Sequence, residues 1–119
     1  MVLPEEGCLL RIFIGESDRH DGRPLYEWLV QQARERGLAG ATVVRGIQGF
    51  GAHSRLHVAK IMRLSTDLPI IVEIVDTTEK IEAFLPLVDE NVTEGLATVE
   101  KVRIRLYRHG DRIDPEETS

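Results

Sequence analysis

The chain has 119 residues, enough for one domain with a modest core. Its 15 Lys and Arg against 20 Asp and Glu leave a formal charge of −5, which supplies no field to gather nucleic acid or an anionic membrane surface. The single cysteine, Cys8, excludes an internal disulfide and a paired-cysteine metal motif, and the longest apolar run, Pro69 to Val75, is broken by Glu73 and falls short of the roughly 20 residues that span a bilayer.

The opening MVLPEEGCLL lacks the basic region and cleavage site of a signal peptide, so a cytoplasmic location is expected. LLRIFI, Leu9 to Ile14, is rich in branched and aromatic residues and stops at Gly15, which predicts a first strand. GESDRHDGRP then gathers turn formers and charges. Glu16, Asp18 and Asp21 are expected to cap the helix that follows, whose N–H groups would otherwise suit an anion. That helix is predicted from Pro24 to Arg36, with Leu25, Leu29 and Ala33 as its buried stripe and Gly37 as a left-handed cap.

Ala41 to Ile47 is the second predicted strand, with Ala41, Val43 and Ile47 on one face and Thr42 and Val44 on the other. Both faces are largely apolar. In a small antiparallel sheet the face away from the helices is ordinarily polar, so apolar residues there imply burial by another subunit. Gly46, Gly49 and Gly51 then mark a shaped loop that carries His53, Arg55 and His57, the uneven stretch where function is expected.

Val58 to Leu64 fits a strand or a helix, and a bend near Ser65 to Pro69 leads to a third strand, Ile70 to Val75. Asp76 and Glu79 have capping-box spacing and are expected to open a second helix with Ile81, Phe84, Leu85 and Val88 buried. Pro86 predicts a kink or an early end. After Gly95, a last strand is expected from Ala97 to Tyr107, with Val102 and Ile104 facing the helices. Arg103, Arg105 and Tyr107 would then share the other face with Arg11 and Glu73, in a ladder of Glu73, Arg11 and Arg105 where subunits meet. The tail from about residue 109 to 119 has too little apolar content to pack and is expected to fray.

The order strand, helix, strand, strand, helix, strand predicts an α+β, ferredoxin-like βαββαβ sandwich in which two helices cover one face of a four-stranded antiparallel sheet. The whole chain, residues 1–119, is expected to form one such domain. His53 and His57 stand four apart without a third ligand, so no metal site is expected. Neither a nucleophile with a base at useful spacing nor a Walker loop nor GxGxxG occurs, so no catalytic residue is assigned and an enzyme is not expected.

GATV from Gly40, GFG from Gly49, a polar loop, then LP before IVEIV resembles the PII signalling proteins. RIFIGESD, GRPLYEWLV, GLAGATVVRGIQGFGAHSRLH and LSTDLPIIVEIVD are more similar still to the PII-like family called domain of unknown function 190, over Leu10 to Tyr107. The resemblance implies a homotrimer that holds a small anionic ligand, such as an adenine nucleotide, in clefts between subunits. It assigns to the site Gly49, Phe50 and Gly51 as the GFG turn, His53 and Arg55 of the loop, and Arg103 with Arg105 as an Arg-x-Arg pair. Glycine-turn amides and guanidinium forks both suit phosphate oxygens.

The sequence departs from PII at two places. Only Thr93, Glu94 and Gly95 stand where PII proteins carry a longer phosphate loop, and His53 replaces the glutamine that helps hold 2-oxoglutarate. No Tyr lies between Ala52 and His57 to be uridylylated, so nitrogen sensing is not implied. The family is often encoded beside fluoride channels, which implies a membrane transporter or channel as partner. The alternative expectation is a structural trimer like the CutA proteins, without nucleotide.

Overall fold

A computed structural model of the chain describes residues 5–49, 57–58 and 68–108. Strand β1 runs Glu6–Gly15, followed by a short hairpin of β2, Arg19–His20, and β3, Arg23–Pro24. Helix α1, Leu25–Glu35, leads to β4, Ala41–Arg45, and then to the short pair β5, Gln48–Gly49, and β6, His57–Val58. Strand β7, Pro69–Asp76, helix α2, Thr78–Asn91, and strand β8, Leu96–Arg103, complete the order. The main sheet is antiparallel with strand order β4-β7-β1-β8. With the two helices on one face, this is the expected ferredoxin-like sandwich.

Period-two alternation builds the core. Cys8, Leu10, Ile12 and Ile14 of β1 and Ile70, Val72 and Ile74 of β7 point at the helices and are buried. They meet Leu25, Leu29 and Ala33 of α1 and Ile81, Phe84, Leu87 and Val88 of α2. Gly37 ends α1 at φ 78°, the left-handed conformation that glycine adopts without a Cβ penalty.

Several local expectations change. The acidic residues after β1 do not cap α1, whose N-cap Pro24 has no side-chain cap bond. Instead Asp18 accepts from the Gly15 N–H at 3.0 Å, and Asp21 and Gly22, both with positive φ, form the two-residue turn of the β2–β3 hairpin. Asp-Gly is a strong hairpin signal, so this turn was legible.

The cap of α2 is Thr77, whose hydroxyl accepts from Lys80 N–H at 3.1 Å, rather than Asp76. Leu87 takes the buried place expected of Leu85, which is only partly buried. The helix runs on through Pro86 to Asn91. Burying Leu87 and Val88 beyond the proline contributes roughly 1.5–3 kcal/mol each, which offsets the cost of about 3 kcal/mol for proline inside a helix.

The last strand ends at Arg103, not Tyr107: Arg103 lies opposite Glu6, the first residue of β1, and after one more bond, from Ile104 N–H to Glu5 O, the chain turns away across the open face. Its faces are also reversed from expectation. Val99 opposite Leu10 and Lys101 opposite Cys8 fall on the helix side, while Thr98, Glu100 and Val102 fall on the open side. As an exposed edge strand, β8 has no buried stripe by which its sequence could reveal its face.

Candidate functional site

The face of the sheet away from the helices is ordered in rows by strand register. One row, Leu96, Phe13, Ile71 and Val44, crosses all four strands and is wholly apolar. Its edges are open, with Leu96 57% and Val44 43% exposed. The next row is Thr98, Arg11, Glu73 and Thr42. Arg11 Nε donates to Glu73 at 3.0 Å and its Nη1 to Glu100 at 3.2 Å. The expected ladder is thus present with Glu100, not Arg105, as its third member. The Glu73 hydrogen bond, chiefly, raises the Arg11 pKa above its usual value, so this guanidinium remains charged and is no pH switch.

At one end of the open face lies a cavity of about 440 Å³. Leu9, Val75, Ile104 and Leu106 make it apolar, and Thr42, Glu73 and the Ala39–Gly40 backbone add polar groups. Its outer wall is the segment after β8, which leaves the sheet and folds back until the Tyr107 hydroxyl donates to Ala39 O at 3.3 Å. That crossing needs a glycine beneath it: a Cβ on Gly7 would stand 2.6 Å from Asp76 O and 2.8 Å from Ile104 Cδ1.

The loop expected to carry function leaves the sheet at the opposite end. Its base is fastened at three points: Gly46 N–H donates to Pro69 O at 2.7 Å, Glu16 N–H to Leu68 O at 2.8 Å, and Arg45 to the Glu16 carboxylate at 3.0 Å. Gly49 pairs with His57 across β5 and β6, which closes a neck on the loop. Phe50, Gly51, His53 and Arg55 lie outside the described residues.

Arg103 and Arg105 are exposed, and Arg103 Nε donates to Glu5 at 2.6 Å. Within one chain these arginines and the Gly49 turn do not converge. Arg45 ends β4 on one edge, in the row of Ile70 and Ile14, whereas Arg103 pairs with Glu6 on the other edge. Eight residues along β1 and three strand spacings separate those corners, about 30 Å by standard strand geometry. An arginine side chain does not bridge that distance.

The connection Val92–Gly95 between α2 and β8 is four residues long, too short for an extended phosphate-binding loop. Sequence reasoning missed the Ala39–Gly40 turn, Thr42 and Tyr107 as cavity walls. GATV signalled a strand, and Tyr107 was assigned to β8.

The family DUF190, described as uncharacterized ACR, matches residues 7–104. A UPF0166 protein of Aquifex aeolicus is 43% identical over 96 residues, 81% of this chain and 90% of that protein. A UPF0166 protein of Methanocaldococcus jannaschii is 39% identical over 80 residues, 66% of this chain and 71% of that protein. Among solved structures, a putative PII-like signaling protein from Thermus thermophilus is similar with a TM-score of 0.60 and 19% identity, over 83% of this chain and 89% of that one. CPII from Thiomonas intermedia, a nitrogen regulatory PII-like protein bound to ADP, AMP and bicarbonate, is similar with a TM-score of 0.57 and 18% identity, over 83% and 88%. The fold is therefore PII-like, and the chain belongs to the DUF190 family.

Proposed function

We propose that this protein is a cytoplasmic, trimeric PII-like regulator that binds an adenine nucleotide between subunits. The observation that carries this reading is the separation of its two anion-binding candidates. The Gly49 turn and the Arg103 and Arg105 pair lie toward opposite ends of one sheet, so one nucleotide meets both only if a second copy supplies one of them. The apolar row across the open face favours such packing, because exposed apolar rows mark interaction surfaces. CPII, of similar fold, was solved with ADP and AMP, which makes an adenine nucleotide the first ligand to test.

In this reading phosphate oxygens lie against the Gly49–Gly51 turn of one subunit and the arginines of the next. His53 and Arg55 complete the contacts from the loop. Binding changes how the loop fits a partner, a membrane transporter or channel, so the protein works by population shift and not by turnover. The short Val92–Gly95 connection puts more of the phosphate recognition on the arginines.

Changing Arg103 and Arg105 together to Ala removes two charge-assisted contacts worth roughly 1.5–3 kcal/mol each. ADP affinity measured by titration calorimetry is then expected to fall by about 100-fold or more, with the trimer intact. Mixed trimers of this variant with a Gly51→Val variant should regain a fraction of sites, since some clefts receive both native halves. Unchanged affinity in the arginine variant, or no recovery in the mixture, would contradict a shared cleft.

A further inference from the structure

Among the described residues, Asp76 is the one buried charged side chain, with no exposed surface. Burying a carboxylate is costly unless hydrogen bonds replace its water, and here two backbone donors do so. Oδ2 accepts from Ala39 N–H at 2.7 Å and Oδ1 from Thr77 N–H at 2.6 Å. The second bond is local to the start of α2, where negative charge is favoured by the helix dipole. The first reaches 37 residues back along the chain, to the turn that walls the open-face cavity.

The peptide groups of that turn are held from several sides. Ala39 gives its N–H to Asp76 and its carbonyl receives the Tyr107 hydroxyl. Lys80, one turn into α2, donates Nζ to Gly37 O at 2.8 Å. Gly37–Gly40 is thus tied to the end of β7 by Asp76, to the first turn of α2 by Lys80 and to the C-terminal segment by Tyr107.

We propose that Asp76 is the positioning residue of the open-face cavity: by holding the Ala39 N–H it fixes the Ala39–Thr42 wall relative to α2 and so places the Ala39 carbonyl for Tyr107. An apolar residue at this place would pack as well against Cys8 and the core but would leave the wall free to move. Because the segment that Tyr107 anchors also carries Arg105, loosening the clamp should weaken ADP; that part rests on the nucleotide reading above, and the mechanical part does not.

Hydrogen exchange without ligand tests the mechanical part, on the full chain carrying Asp76→Asn, Tyr107→Phe or, as a control, Thr77→Ala. Asp76→Asn keeps the shape but replaces a charged acceptor by a neutral amide. Exchange at Leu38–Thr42 is expected to quicken about 10-fold or more while Ile81–Val88 keep their protection. Tyr107→Phe should quicken the same turn less, and Thr77→Ala, which removes only the helix cap, should leave the turn as in the native protein. The proposal is overturned if Asp76→Asn leaves the turn unchanged, or if its protection falls equally through α2 and β7.

If Asp76→Asn does not fold, Asp76→Glu takes its place, keeping the charge but moving the carboxylate off the Ala39 N–H: an unchanged turn in that variant overturns the proposal, and a quickened turn supports it. ADP titration of the same proteins adds the functional arm. The two single variants should each weaken ADP, and the double variant should weaken it by less than the product of both, since both act through the backbone of one residue, Ala39. A native protein that does not bind ADP would sink the nucleotide reading, while the exchange result would still decide the role of Asp76.

Discussion

Replacing Ile71 by Asp is expected to leave a folded monomer and to abolish the proposed trimer. Ile71 lies in the apolar row between Phe13 and Val44, on the face away from the core, so its loss takes no contact from the buried cluster. Each copy forfeits roughly 1.5–3 kcal/mol of apolar burial at the subunit contact, and an unpaired carboxylate there adds its own desolvation cost. Over three copies the loss is at least about 5 kcal/mol, more than 1,000-fold in association. Light scattering should give the mass of one 13.4 kDa chain, with the far-ultraviolet spectrum little changed. A trimer of unchanged affinity would show that this face is not where subunits meet.

Replacing Gly95 by Ala is expected to be the most damaging small change within the chain itself. Gly95 has φ 150°, and a Cβ there would stand 2.4 Å from the Phe13 carbonyl oxygen and 3.2 Å from Ile14 Cγ2. The obstacle is backbone of the central strand β1, which cannot rotate aside as a side chain can. Strain of this kind costs about 2–4 kcal/mol, a large part of the 5–15 kcal/mol typical of a domain. Gly40→Ala is the matched control, since its Cβ would meet nothing within 4 Å. Denaturant midpoints should drop sharply for Gly95→Ala and stay near the native value for Gly40→Ala. Equal midpoints would contradict the clash.

The contrast between those two glycines shows what the sequence could carry. Strands β1 and β7 and the stripe Leu25, Leu29 and Ala33 were legible because one face of each element is buried, and burial leaves a period in the residues. Strand β8 was misread because it is an edge strand whose side chains are nearly all exposed, so Val102 and Ile104 imitated a stripe that the register of β1 denies them. At Asp76 the capping motif was real, one residue out of place. Thr77 caps the helix, which frees the aspartate to reach Ala39.

The site divided along similar lines. Gly49 and Arg103 are visible as residue types suited to phosphate, and their proposed roles come from the family resemblance. Their distance apart is set by sheet order, which a single sequence states only through topology. The cavity formed by Ala39, Thr42, Ile104 and Tyr107 arises where the chain doubles back over its own sheet. No periodicity announces such a crossing, although Gly7, placed where a Cβ would strike Ile104, is its local trace.

Titration calorimetry with ADP on protein whose mass is fixed by light scattering tests the central claim most directly. The account predicts a particle of three 13.4 kDa chains that takes up ADP saturably at one site per cleft, three per particle. A monomer, or a well-folded trimer that gives no binding with ADP, ATP or AMP, would contradict it.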